Sequence, residues 1–317
     1  MGKIKLDLKD RKILYELDIN ARQTISEIAK KVKLNKNTVN YKIKKLENEK
    51  LILGYYTVVD YSKLGFISLR VYFNFFNTKP EHEKEIINFL IKNKKVGVVG
   101  QVESPYDIIF QAWVKNIYEF DDFWFKFKKK FRQFIWKERV YLVNRVYNFK
   151  RKYITDKPNY EYEFGGGSKK EKFDEFDLKI LKLLARNARI PIIDIAEKLK
   201  VPERTIAYRI KQLEKKKIIM GYRLNLDAIK IGYEYYKLNC VLNSMEDYER
   251  LFQFSQQHPN VIFLDRTMSE LDLEIDIEVR GRKEMLKLIK ELKEKFKIRD
   301  IEIATYKEYY KLETIPQ

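Results

Sequence analysis

The sequence predicts an α+β chain made of two tandem copies of one unit. Each unit is a winged helix-turn-helix head followed by a ferredoxin-like βαββαβ module. The first observation behind this is a repeat: residues 7–65 and 174–232 align without a gap at a constant offset of 167. That is far longer than a solenoid unit, so it reads as a duplicated domain pair. The second is that each copy opens on three short runs with apolar residues at helical spacing. The third is that each copy then runs strand, helix, strand, strand, helix, strand. The predicted boundaries are head one at 1–60, module one at 61–153, a linker at 154–172, head two at 173–227 and module two at 228–317.

In head one, Leu6, Ile13, Leu14, Leu17 and Ile19 predict a first helix, with Asp7 as N-cap and Asp10 in its first turn. Thr24 caps a second helix, with Glu27 in capping-box position. A turn at residues 33–35 leads to a third helix over 36–49, whose buried stripe is Val39, Ile43 and Leu46. Residues 51–59 read as a β-hairpin or wing. In head two the third helix is 203–217, with Ile206, Ile210 and Leu213 inward. A short helix, a tight turn and a longer helix with a polar start fit the major groove of a duplex, where early residues of the last helix reach base edges and lysines meet phosphates. The candidate DNA-contacting residues are Lys36, Asn37, Thr38, Asn40, Tyr41, Lys42 and Lys45 in copy one. In copy two they are Arg204, Thr205, Tyr208, Arg209, Lys211 and Gln212. Tyr41 and Tyr208 have the alternative of packing within their heads. The two faces differ (Lys36/Glu203, Asn37/Arg204, Asn40/Ala207, Lys42/Arg209, Lys45/Gln212), which predicts a non-palindromic target.

In module one the predicted strands are 66–76, 96–103, 106–114 and 139–149, with helices at 81–92 and 117–135. In module two they are 233–242, 261–267, 271–279 and 301–310, with helices at 246–257 and 282–296. Residues 271–279 alternate apolar and acidic, which predicts one buried face and one open acidic face. Phe120, Phe123, Trp124, Phe127, Phe131 and Phe134 at helical spacing predict core packing. Lys128, Lys129 and Lys130 read as a solvated face or a contact to DNA backbone. Gly165-Gly166-Gly167-Ser168 reads as flexible linker. It lacks the spacing of a phosphate-cradling loop.

The 317 residues carry a net charge of +19, with 45% hydrophobic and 14% aromatic residues. The balance favours a polyanionic partner, double-stranded DNA in the first place. No uncharged apolar run approaches the roughly 18 residues of a membrane span. The start has no apolar leader segment, and lone Cys240 suits a reducing compartment. A cytoplasmic protein without a membrane partner is expected. The two heads carry +5 each, whereas residues 66–155 carry +9 and residues 233–317 carry −3. This predicts that the modules dock within one chain, the acids Asp272, Glu274, Asp276 and Glu278 meeting a side that includes Arg70 and Arg145. Charge of opposite sign mainly selects such a pairing. Association into larger homo-oligomers is a further option. Two histidines, His82 and His258, and no Cys/His cluster predict no catalytic residues, no metal and no cofactor.

The Leu/Asp start, the Asn-Ala-Arg, the Ile-Ala and the Leu-Glu…Ile-x-Gly-Tyr ending of each head resemble the Lrp/AsnC (feast/famine) transcription regulators, over almost the whole chain and twice. The resemblance implies DNA-binding regulation without enzyme activity, effector modules that pair face to face, and amino-acid effectors near a Gly-x-x-Asp turn. Here the turns read Ser104-Pro105-Tyr106-Asp107 and Ser269-Glu270-Leu271-Asp272, keeping the aspartate and lacking the glycine. Ser104, Asp107, Ser269 and Asp272 are therefore the candidate contacts for a small amino-acid-like effector. The alternative is that Asp107 and Asp272 stabilise their own turns. Two other functions stay open: a sirohaem-decarboxylase-like enzyme, which shares the fold, and a protein-interaction module acting on transcription machinery.

Overall fold

The computed structural model describes residues 3–155, 161–167 and 169–316. Head one comprises α1 (Leu8–Ile19), α2 (Ile25–Val32), α3 (Lys36–Asn48) and β1 (Ile52–Val59). Module one comprises β2 (Ile67–Phe75), α4 (Pro80–Lys92), β3 (Val96–Glu103), β4 (Ile108–Val114), α5 (Ile117–Phe131) and β5 (Ile135–Phe149). Strand β6 (Glu161–Gly165) follows. Head two repeats the order with α6 (Glu175–Arg186), α7 (Ile192–Leu199), α8 (Glu203–Lys215) and β7 (Ile219–Leu226). Module two has β8 (Glu234–Leu242), α9 (Tyr248–Gln257), β9 (Val261–Met268), β10 (Leu273–Val279), α10 (Arg282–Lys295) and β11 (Ile298–Leu312).

Local chemistry sets the helix starts. Asp7 with Asp10, Thr24 with Glu27, and Asp174 with Asp177 form reciprocal capping boxes at α1, α2 and α6. Prolines 191 and 202 precede α7 and α8 without a side-chain cap. The predicted wing is not a hairpin. β1 is a single strand, and it pairs antiparallel with β7 of the other head. The register is symmetric: Tyr55 faces Leu224 and Thr57 faces Tyr222. One apolar core joins the heads, with Leu14 and Leu46 in the same cluster as Leu181 and Leu213.

The modules are joined as well. Strands run in the order β2-β4-β3-β11-β8-β10-β9-β5, and β5 pairs back onto β2, so among the described residues eight strands close a ring. Two long strands make the closure. β5 pairs with β2 of its own module over residues 135–143, then with β9 of the other over 142–148. β11 does the same with β8 and then β3. A closed ring leaves few exposed edges. Strand β6 adds to the outer side of β5.

Two expectations need correction. The acidic face of β10 is not open: Glu274, Asp276 and Glu278 are 0%, 6% and 4% exposed, because the other module covers them. Part of the segment read as flexible linker is the ordered strand β6, while residues 156–160 and Ser168 lie outside the described residues. Gly165 and Gly166 serve shape there. Both have positive φ (88° and 75°), and a Cβ on Gly165 would stand 2.6 Å from the Asn144 carbonyl oxygen. The lysine run of α5 is a solvated face as expected: Lys129 and Lys130 are exposed, and Lys128 and Lys130 make surface ion pairs to Glu138 and Glu85, both at 2.7 Å. The aromatic stripe of α5 is core as expected, with Phe123, Trp124, Phe127 and Phe131 buried. Cys240 is a buried residue of β8.

Gly97 on β3 lies under the Trp113 ring, and a Cβ there would stand 1.8 Å from it. Gly97→Ala is expected to cost about 1–3 kcal/mol, since ring and strand must part. Chemical denaturation checks this; a loss below about 0.5 kcal/mol would contradict the packing.

Candidate nucleic-acid interface

Helices α3 and α8 carry the candidate reading residues. Asn35 caps α3, its Oδ1 accepting from the Asn37 backbone N–H at 2.7 Å. Val39, Ile43 and Leu46 anchor its inner face, as Ile206, Ile210 and Leu213 anchor α8. That leaves Lys36, Asn37, Asn40, Tyr41 and Lys45 exposed on α3, and Arg204, Tyr208 and Lys211 exposed on α8. Tyr41 and Tyr208 are 69% and 62% exposed, so neither packs into its head. Two large aromatics held out at equivalent places on two helices suit stacking or phosphate contact more than folding. Thr38, Thr205 and Gln212 are half-buried beside them.

Lys42 and Arg209 are spent differently. The Lys42 ammonium pairs with Asp7 and Asp10, each at 2.8 Å. Arg209 pairs with Asp174 at 2.8 Å and Asp177 at 3.3 Å. Each cation ties the reading helix to the capping box of its head's first helix. Hydrogen bonds from Lys42 and from the Asp10 backbone N–H hold the Asp7 carboxyl down at about 2. The backbone N–H of Asp177 first, and then Arg209, lower Asp174 in the same direction. A depressed acid stabilises the folded head above its unfolded pKa of about 3.8 and loses that contribution as pH falls through its folded value. Lys42→Ala and Arg209→Ala are each expected to cost about 1 kcal/mol and to flatten the acid limb of the pH–stability curve between about pH 4 and 2. An acid limb identical to the parent's would contradict this role.

The heads are locked together by a motif whose purpose the sequence reading missed. In Asn20-Ala21-Arg22, the arginine donates across to the carbonyls of Ala188 and Ile190 at 2.6 and 3.0 Å. Arg189, its repeat, donates back to the carbonyls of Ala21 and Gln23. Each guanidinium also covers the other head's tyrosine: Arg22 lies 5.7 Å from the Tyr222 ring centre and Arg189 lies 5.2 Å from Tyr55. The signal was present as an arginine repeated in both copies outside the reading helix.

The charged residues of the modules meet inside the ring. Arg70 of β2 pairs with Asp265 of β9 at 2.8 Å and with Glu274 of β10. Tyr72 donates to Glu274 at 2.6 Å, and Lys237 pairs with Asp276 at 2.6 Å. Arg139 reaches Glu302 at 2.8 Å. Arg145, expected in the docking face, instead pairs locally with Glu163 of β6 at 2.9 Å. A second cluster links heads to modules. Arg151 donates twice to Glu278 of β10, at 2.8 and 3.1 Å. It also contacts Asp18 of α1, which Arg223 of β7 binds at 2.8 Å. Burial alone would raise the Asp18 carboxyl; Arg223 and Arg151 overcome it and keep it below its ordinary value.

The effector turns are shaped by their own aspartates. Asp107 accepts from the Phe75 backbone N–H at 2.8 Å, and Asp272 from that of Leu242 at 2.7 Å. Ser104 adopts the left-handed conformation (φ 47°) at the position where the family pattern has glycine. Ser269 Oγ accepts from the Leu271 N–H at 3.0 Å. Between the β1–β7 ribbon and the ring lies a cavity of about 730 Å³.

With that geometry in place, known proteins can be compared. The winged helix-turn-helix DNA-binding family model matches residues 6–52 and 173–220, one match per head. An uncharacterized HTH-type transcriptional regulator of Pyrococcus horikoshii, PH0140, is 30% identical over 121 residues, which is 38% of this chain and 75% of that protein. The regulator LrpC of Bacillus subtilis is 31% identical over 98 residues, 30% of this chain and 66% of its own. Among solved structures, the siroheme decarboxylase NirDL superposes with a TM-score of 0.65 at 13% identity, over 97% of this chain and 94% of that one. At that identity the likeness is one of fold. The fold and the exposed helices define an HTH-type, DNA-binding regulator. The chain belongs to the Lrp/AsnC family of transcription regulators, in a tandem-duplicated form.

Proposed function

We propose that this chain acts as a covalent pseudo-dimer. One polypeptide presents two unlike reading heads to one stretch of promoter DNA and so blocks or recruits polymerase. The observation that carries the reading is the pair of exposed basic helix faces on heads joined by the β1–β7 ribbon. Lys36, Asn37, Asn40, Tyr41 and Lys45, with Arg204, Tyr208 and Lys211, form the outer contact set. Thr38, Thr205 and Gln212 flank it, and Lys42 and Arg209 position the helices. By family resemblance an amino-acid-like effector would bind at the Ser104–Asp107 and Ser269–Asp272 turns. Asp107 and Asp272 already serve backbone N–H groups, so their part there is to shape the turn. Selection from random duplexes is expected to return a non-palindromic site, because Asn37 and Asn40 face the groove where Arg204 and Ala207 stand in the other head. Recovery of perfect inverted repeats alone would overturn this.

A module that touches only transcription machinery predicts affinity for DNA that barely changes with salt, whereas several phosphate contacts make it fall steeply. The whole-chain likeness to NirDL motivates the second reading, an enzyme acting on a haem-like substrate. The cavity favours it less. Among the described residues no histidine, cysteine or methionine lines it, and of its three arginines Arg70 and Arg151 are already ion-paired, which leaves Arg186 alone without an ion pair. A Soret band shifted on adding sirohaem would revive that reading.

A further inference from the structure

The two halves of the molecule differ most where heads meet modules. On one side Asp18 of head one, Arg223 of head two, Arg151 at the end of module one and Glu278 of module two form a closed charged clamp. The residues at the repeat-related positions are Ala185 on α6, Tyr56 on β1, Thr314 after β11 and Trp113 on β4. None of these can replace the clamp's charges, and all four line the 730 Å³ cavity. The ribbon shows the same contrast. A Cβ on Gly221 would stand 2.3 Å from the Tyr162 ring of β6, whereas a Cβ on Gly54, its repeat, meets nothing within 4 Å. One side is filled by side chains and the other is left open.

The open side carries the features of a ligand site. The indole N–H of Trp113, 6% exposed, and the hydroxyl of Thr314 are buried without a hydrogen-bond partner. A buried donor left unpaired costs about 1–3 kcal/mol, so both invite an acceptor. Tyr56, Trp113, Tyr306 and Tyr309 give the cavity flat aromatic walls. Arg70 and Arg151 are neutralised by their acids. Lys182 and Arg186 on α6 are exposed at the cavity and form no ion pair among the described residues. On this wall, among the described residues, two cations without an ion pair, Lys182 and Arg186, stand against one such acid, Glu313.

We propose that this cavity binds a small aromatic molecule bearing a carboxylate or phosphate. The ring lies between the aromatic walls, an acceptor takes the Trp113 N–H, and the anion meets Lys182 and Arg186. The ligand then fills the head–module junction on this side, as the clamp closes it on the other. Its regulatory consequence rests on the DNA-binding reading above; its binding does not.

Calorimetric titration of the full chain with indole-3-acetate and with AMP tests this, using indole and adenosine as uncharged counterparts. At least one anionic probe is expected to bind one per chain with a Kd below roughly 1 mM. It should bind at least about ten-fold tighter than its uncharged counterpart, a difference of about 1.4 kcal/mol. Binding of indole-3-acetate alone assigns the anion as carboxylate, and binding of AMP alone assigns it as phosphate. Ala185→Phe should abolish binding. Lys182→Ala with Arg186→Ala, two exposed changes that leave the core untouched, should remove the preference for the charged probe. The inference is overturned if neither anionic probe binds, if the uncharged counterparts bind equally, or if the double variant binds like the parent. DNA affinity measured in parallel without probe separates the two readings. A chain that holds DNA but no probe sinks only the ligand site, and one that ignores DNA sinks the proposed function.

Discussion

Replacing Arg70 by alanine is expected to destabilise the protein by about 3–5 kcal/mol, the largest effect of any single change considered. Arg70 is 8% exposed and faces Asp265 (3%) and Glu274 (0%) of the other module. Removing it leaves two largely buried carboxylates without their shared partner. Lys237, 3.5 Å from Glu274, is already closer to Asp276 and cannot serve all three acids. Burial weakens solvation of the charged forms, so loss of one partner costs more than the pair contributes against an apolar replacement. The rescue is specific. Adding Asp265→Asn and Glu274→Gln to Arg70→Ala removes the stranded charges and should recover a large part of the loss. Arg70→Lys should fall between, since an ammonium cannot bridge two acids as a guanidinium does. Urea denaturation at neutral pH measures all four proteins. A loss below about 1 kcal/mol for Arg70→Ala, or no recovery in the triple variant, would mean that the modules are not held over this network.

The second large effect concerns DNA. Changing Arg204, Tyr208 and Lys211 together to alanine is expected to weaken binding roughly a hundred-fold, since a good side-chain contact to a base edge is worth about 1–3 kcal/mol and each phosphate contact adds to the salt-dependent part. Asn37→Ala with Asn40→Ala should instead relax sequence preference on the half of the site read by head one while leaving the salt slope nearly unchanged. Loss of Lys211 or Lys45 should lower that slope by about 0.9 per phosphate contact removed. Lys129→Ala on α5 is the control, an exposed lysine outside both heads. Fluorescence anisotropy over a range of salt concentrations reads all of these. Equal affinities for the parent and the α8 triple variant would remove head two from the interface.

The sequence made the element order legible because periodicity and capping are local. Asp7 with Asp10 and Thr24 with Glu27 were readable as helix starts from spacing alone, and both form their boxes. What covers a face is not local. Alternation in β10 separates apolar from acidic positions but says nothing about what lies over the acids. The +9 and −3 imbalance and Arg70 were the only signs that another module would. The wing was read as a hairpin because a hairpin partner lies nearby in sequence, whereas the actual partner, β7, lies at the repeat distance. Lys42 and Arg209 read as DNA contacts, and their ion pairs inside each head are a use that a positive charge on a reading helix does not announce. The acidic pairs Asp7/Asp10 and Asp174/Asp177, repeated opposite a repeated cation, were the available sign that this charge is used inside each head. The cavity was invisible in the sequence. It follows from what Ala185, Tyr56, Thr314 and Trp113 fail to do at places where their repeats make a clamp.

The central claim is that one chain sets two reading heads on one duplex. The most direct measurement is the stoichiometry and salt dependence of binding to a selected DNA site, read by sedimentation and anisotropy on the same samples. The account predicts one chain per site and an affinity that falls by about a thousand-fold or more between roughly 50 and 200 mM salt, as for six or more phosphate contacts. Two chains required per site, or no binding to duplex DNA at the lower salt, would contradict it.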